Sequence, residues 1–372
     1  MKFKLASYLS VLGITLLPPP AVAFKLKPEG SFIERKLANR SQSYWEKLLS
    51  GSALKGNDKI GESVNEEITN RVLGCEGDED ICAAPDYEPK NAYVLAGGRW
   101  NDDPPFRFEK DQGNFGGCEP GSTVRLVTFP RCWANVFKNG KKRAGRGEVL
   151  NADNAPLLVR SHFGDLQFLH AMANRDSESA SDVRNRIIAW AEFTWRIALG
   201  EFSLSTRVKD VPVSGIVEFF GTKGWSIQDL FALGNPHVRK PENMSELAFG
   251  SLLHVVEDSF ANGHVERAMP DGQEKCPEAA NGYTMPGKIK EFHSYVNQDS
   301  SRHGDDDARN AFSANWSGPR PNVVDVGRTL NDFFVRRAPW SEVKPYIECI
   351  FTLDTDARPA SAGARYTKAR AF

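Results

Sequence analysis

The chain has 372 residues, 40% hydrophobic and 10% aromatic, with 47 Lys and Arg against 48 Asp and Glu. That composition supplies a sizeable core and excludes a collagen-like, low-complexity or wholly disordered protein. A formal net charge of −1, with basic residues spread along the sequence, leaves no electrostatic footprint for nucleic acid, so no specific nucleic-acid partner is expected.

At the N-terminus, Lys2 and Lys4 precede an apolar run from Leu5 to Leu17, followed by the small-residue pattern Ala21-Val22-Ala23. This pattern predicts a cleavable signal peptide over residues 1–23 and a mature start near Phe24. The run is too short to remain as a membrane anchor, and no later stretch approaches about 18 uninterrupted apolar residues. The chain is therefore expected to be secreted or periplasmic, with no transmembrane segment in its mature form and residues 24–372 forming one domain of about 350 residues.

Export makes the six cysteines disulfide candidates. Proximity favours Cys75 with Cys82 and Cys118 with Cys132, leaving Cys276 for Cys349. None lies in a CxxC pair, which argues against a cysteine zinc site. The first two pairs fall in a segment, about residues 75–152, rich in Gly, Pro and Asp ("GCEGDEDICAAPDYEPK", "NDDPPFRFEKDQGNFGGCEPGSTV"). It reads as a disulfide-tied, loop-rich insertion.

Helical patterns dominate the remainder. In "SASDVRNRIIAWAEFTWRIALGEF", Ile187, Ile188, Ala191, Trp195, Ala198 and Leu199 recur at steps of three and four behind the candidate caps Ser181 and Asp182. "MSELAFGSLLHVVEDSF" follows the same logic with Ser245 as candidate cap, and "VVDVGRTLNDFFVRR" and "WSEVKPYIECIFTL" predict two more helices. The polar tail at about residues 356–372 is expected to be partly disordered. The fold class is all-α.

The chemistry concentrates in "HVVEDSFANGH". If this segment is helical, His254 and Asp258 share one face, and "SFANG" ends the helix so that His264 returns from a turn. Two more of the seven histidines lie in "RSHFGDLQFLH" and two in "EFHSYVNQDSSRHGDDD", each pair beside acids. Imidazole and carboxylate suit a catalytic zinc, which keeps a position for water and lowers its pKa towards about 7. His237, in "GNPHVRK", reads as a surface turn residue.

At these residues the chain resembles the zinc-dependent phospholipase C and P1-type nuclease superfamily. Its signature of His, three residues, Asp, five residues, His is matched by His254, Asp258 and His264; "SHFGD" matches at His162, "GGRWNDDP" at Asp102 with Asp103 as neighbour, and "FHS" at His293. The matches run in the family's order from about residue 60 to 300. Two positions depart: in "VNEEITNRVL" the ligand position holds Asn65, and four residues after His293 stands Asn297 where the family has Glu.

The resemblance implies a helical bundle of the phospholipase C/P1 type with one zinc held by Asp102, His162, His254 and Asp258. It implies a second zinc held by His264, His293 and a further ligand; with Asn297 in the family's Glu position, either a neighbouring residue substitutes or His303, whose i, i+4 partner is Asp307, joins, and His293 with help from His303 is favoured. A third zinc would need Asn65. Asp102 would also accept or orient the proton of the attacking water, and His170 and Asp165 would partner the outer nitrogens of ligand imidazoles. The activity implied is hydrolysis of phospholipids such as phosphatidylcholine to diacylglycerol and a phosphorylated headgroup, at a membrane surface and by a monomer. The alternatives are a single-strand-specific nuclease and a catalytically degenerate relative that binds lipid or a partner.

Overall fold

The computed structural model describes residues 32–37, 64–83, 91–110, 113–233, 235, 238, 240–311 and 319–368. The expected signal peptide (residues 1–23), Phe24 and His237 lie outside them. The principal helices are α1 (Phe32–Leu37), α2 (Val64–Val72), α3 (Ala92–Gly98), α4 (Pro130–Ala144), α5 (Leu157–Phe163), α6 (Ala180–Ala198), α7 (Pro241–Asp258), α8 (Ser300–Asp306), α9 (Val323–Val335) and α10 (Trp340–Ile350). Two small antiparallel ribbons pair β1 (Phe106–Arg107) with β2 (Thr123–Val124) and β3 (Val265–Arg267) with β4 (Ile289–Phe292). The molecule is mostly helical, and no described helix is long and apolar enough to cross a membrane.

Helix α7 is the axis of the fold, packed on α3 and α6. Its contact with α3 is unusually close because glycine faces backbone on both sides. A Cβ on Gly97 would stand 2.1 Å from the Leu247 carbonyl oxygen, and one on Gly250 would stand 2.0 Å from that of Val94. Any side chain at either position would force the helices apart. Beyond α3, the stacked indoles of Trp100 and Trp190, with centroids 5.7 Å apart, anchor the next turn in the core.

Helix starts differ from the sequence reading in instructive ways. α6 is capped by Ser179, whose hydroxyl accepts the Asp182 N–H, rather than by Ser181 or Asp182. α7 begins at Pro241, where a missing N–H costs nothing. Ser245 lies one turn inside and donates instead to the Ala198 carbonyl, tying α7 to α6.

The segment at 75–152 also carries more structure than its composition announces. It contains the 15-residue helix α4. Cys132, Trp133, Val136 and Phe137 of α4 pack with Phe106, Phe108, Leu158 and Phe163 in a second core beside the main one. Disulfides link Cys75 to Cys82, Cys118 to Cys132 and Cys276 to Cys349.

Residues 356–368 of the polar tail are among those described. Its backbone pairs with the chain after β4, with Ser294 N–H donating to Ser361 O (2.7 Å) and Asp299 N–H to Tyr366 O (2.6 Å). Ala360, Ala362 and Tyr366 are buried. The reason is backbone hydrogen bonding, which side-chain polarity does not report.

Candidate metal centre

Asp258 is the last residue of α7 and His254 lies one turn earlier, so the helix aims both at one point. Asp102 arrives from the turn after α3. Its neighbour Asn101 fixes that turn by donating to the Leu169 (2.7 Å) and Ser251 (3.3 Å) carbonyls. His170 ends the 3-10 turn Gln167–His170, His162 lies on α5, and His264 follows the α7 terminus. His303, on α8, and Asp307, just past its end, close the far side. None of these eight side chains belongs to a residue more than 4% exposed.

Asp258 Oδ2 is the hub. It lies 2.9 Å from His170 Nδ1, 3.1 Å from His254 Nε2 and 3.6 Å from His264 Nδ1. Asp102 faces the same space, its Oδ1 3.9 Å from both His162 Nε2 and His170 Nδ1, and its Oδ2 4.0 Å from His254 Nδ1. On the other side, Asp307 stands 3.5 Å from His264 Nε2 and 3.0 Å from His303 Nε2. The His264 and His303 rings stack at 4.9 Å.

These residues fit metal ions. Ligands about 2.0–2.2 Å from one zinc lie roughly 3.3–3.6 Å from each other in a tetrahedral site, and the observed spacings bracket that range. Donor sets of Asp102, His170 and His254, and of His264, His303 and Asp307, each bring one ligand atom per residue within 4.8 Å of the others. Both oxygens of Asp102, Nε2 of His162 and of His170, and Nδ1 of His303 are buried without a hydrogen-bond partner among the described residues. Leaving so many polar atoms unsatisfied would be costly unless a cation meets them. The outer nitrogens are already oriented as metal-ligand histidines require: His162 Nδ1 donates to the Leu158 carbonyl (2.9 Å) and His264 Nδ1 to that of His170 (2.7 Å).

Electrostatics divide the centre into halves. In the first, burial holds His162 well below the usual imidazole range and lowers His170 to about 4, so both are neutral donors at pH 7. Burial also raises Asp102 well above the usual carboxylate range, with Asp258 and Glu66 adding to the rise and Arg99 opposing it. Asp258 itself is held far below that range, because His254 and His264 outweigh its burial. In the second half burial again opposes charge, but Asp258 and Asp307 outweigh it and raise His264 to about 9. Asp307 is correspondingly depressed by His303 and His264.

Several candidates lie elsewhere. Asp103 is engaged structurally, accepting from Leu126 N–H (3.0 Å) and Trp133 Nε1 (2.9 Å) and pairing with Arg125. This leaves Asp102 as the aspartate facing the centre. Asp165 forms a two-point ion pair with Arg160 at 2.8 and 2.9 Å. Asn297 is exposed and donates to Asp176 (2.6 Å). His293 groups with Glu266 and Glu291, while His303 and Asp307 take the places beside His264. His170 is within the centre rather than behind it. Asn65 faces the centre, its Nδ2 2.8 Å from His254 Nδ1 and donating to Asp258 Oδ1 (3.2 Å).

No protein-family model, no curated protein and no solved structure matches the chain.

Proposed function

We propose that this chain is an exported zinc-dependent hydrolase of phosphate esters, akin to the phospholipase C and P1-type nuclease superfamily, with a phospholipid such as phosphatidylcholine as its substrate. The observation that carries the reading is the placement of Asp258 Oδ2 within 3.6 Å of nitrogens from three imidazoles, flanked by Asp307 and by Asp102, whose oxygens have no hydrogen-bond partner among the described residues. Asp102, His162, His170 and His254 would hold one ion and His264, His303 and Asp307 a second, with Asp258 between them. Zinc bound there supplies Lewis acidity towards phosphoryl oxygens and acidifies water.

The chain's own groups supply the rest. Asp258 and Asp307 stay ionised and give the centre its negative charge. Asp102, whose carboxyl takes up a proton more readily than an ordinary aspartate, is the group placed to accept one from an attacking water. Asn65 fixes the orientation of His254 and Asp258 towards each other.

One observation favours a second, non-catalytic reading: every ligand residue is at least nine-tenths buried, as in closed structural zinc sites. Elemental analysis of the mature protein separates the two when paired with phosphate-ester release from phosphatidylcholine and from single-stranded DNA, with and without chelator. About two zincs and chelator-sensitive release from lipid support the phospholipase, and release from DNA alone moves the assignment to a nuclease. Bound zinc without turnover leaves a structural centre, and a zinc-free, inactive protein refutes both.

A further inference from the structure

The ribbon of β3 and β4 carries a second constellation, on which the proposed hydrolase chemistry does not draw. Glu266 and Glu291 are directly opposed in its register, a placement in which like charges repel. His293 lies two residues beyond Glu291 and projects to the same side of the strand. A ligand nitrogen of His293 and one carboxylate oxygen from each glutamate lie within 4.8 Å of one another.

Three further facts point to a ligand there. His293 is 3% exposed and its Nδ1 donates to the Gly263 carbonyl at 3.2 Å. That hydrogen bond fixes the neutral tautomer with a bare lone pair on Nε2, and Nε2 has no hydrogen-bond partner among the described residues. Gly363 leaves the space that the ring needs, since a Cβ there would stand 2.7 Å from its Nε2.

The third fact is Arg358. Its guanidinium reaches Glu266 at 2.6 Å and Glu291 at 2.9 Å while its side chain remains 49% exposed. Two carboxylates, one guanidinium and one neutral imidazole leave the cluster with a net negative charge. An arginine at that exposure can swing out without vacating a buried cavity.

We propose that Glu266, Glu291 and His293 form a separate divalent-cation site on the β3–β4 ribbon, occupied in exchange for the Arg358 guanidinium. One imidazole and two carboxylates suit a borderline or hard divalent ion such as Mn2+ or Zn2+. The Ser361 hydroxyl, which donates to Glu291, orients that carboxylate from behind. The site takes its ion by ligand exchange at the surface, whereas the buried centre must take up its metal in the interior.

The test is a Mn2+ titration followed by electron paramagnetic resonance on full-length mature protein, cleared of loosely held metal by gel filtration. Wild type is expected to bind one equivalent that E266Q weakens at least about tenfold and R358A tightens by a similar factor, the order expected for removing one charge beside the ion. H293Q is expected to abolish it. Glu266 and Arg358 are both about half exposed, so E266Q and R358A should fold, and unchanged circular-dichroism spectra and thermal midpoints in these two variants check this. Absence of Mn2+ binding in both wild type and R358A overturns the proposal, as does binding that E266Q leaves unaltered. Because the readout is dependence on Glu266 and Arg358, it stands whether or not the buried centre holds zinc.

Discussion

The Asn65 amide nitrogen lies 2.8 Å from His254 Nδ1, and the same nitrogen reaches Asp258 Oδ1 at 3.2 Å. A neutral amide thus occupies the side of these two residues that faces α2, and it satisfies atoms that a further cation would otherwise meet. Replacing Asn65 with His should raise metal content by up to one equivalent per chain, read by elemental analysis. Asn65→Ala should instead destabilise the metal-free protein by about 1–3 kcal/mol, the cost of leaving buried polar atoms unpaired, read by denaturant unfolding.

Asp258→Asn should abolish both zinc retention and ester hydrolysis, because one oxygen of this carboxylate serves nitrogens of three imidazoles. Asp307→Asn should be narrower, removing one ion and leaving the other in place. Zinc counts near zero for the first variant and near one for the second are the expected pair. Equal counts would mean that the two halves do not hold separate ions.

Asp165→Asn should leave metal content unchanged while costing roughly 1–3 kcal/mol of stability, since it strands the buried Arg160 guanidinium. Loss of zinc in this variant would show that Asp165 acts on the centre after all.

In the metal-free protein His170 and His264 should shift stability in opposite directions with pH. His170 has a folded pKa of about 4, so between about 4 and 6.5 the unfolded chain binds the extra proton and stability rises with pH. His264 has a folded pKa of about 9, so its contribution is complete below about 6.5 and is lost as pH rises through 9. Thermal unfolding across this range, compared with that of His170→Asn and His264→Asn variants, checks the two trends. Zinc must displace the His264 proton, so calorimetry at pH 7.5 in buffers of different ionisation enthalpy should report release of up to one proton per chain.

The three disulfides should contribute unequally. Cys276 and Cys349 are 73 residues apart and Cys75 and Cys82 only 7, which in the chain-entropy account corresponds to roughly 4 against roughly 2 kcal/mol. Alanine replacement of the first pair should therefore lower Tm more than replacement of the second.

Much of this was legible from spacing. His254 and Asp258, one helical turn apart, and His264 beyond the helix end could be placed from local pattern alone, and so could the i, i+4 pair His303 and Asp307. The choice between His293 and His303 beside His264 was not legible, because it depends on how the ribbon of β3 and β4 returns past α7. Asp102 and Asp103 are adjacent in sequence and differ only in what surrounds them: Trp133 and Leu126 from the second core claim Asp103. The helix α4 was obscured by its lysines and by Gly140, although Cys132, Trp133, Val136 and Phe137 mark its inner face. The pairing of residues 361–366 with the chain after β4 is backbone hydrogen bonding that no composition reveals.

That tail also sets an order of assembly. The backbone of residues 294–299 is held by residues 361–366, and Tyr366 grips Asp306 at the end of α8, so His303 and Asp307 have no fixed platform until a stretch made some sixty residues later has docked. A nascent chain delivered from its N-terminus would present His162, His170 and His254 long before their counterparts could join them. The centre is therefore among the last parts of the molecule to close, and metal capture reports completion of the chain: a protein clipped before Ala360 should fold its α6 and α7 core yet fail to retain the ion held by His264, His303 and Asp307.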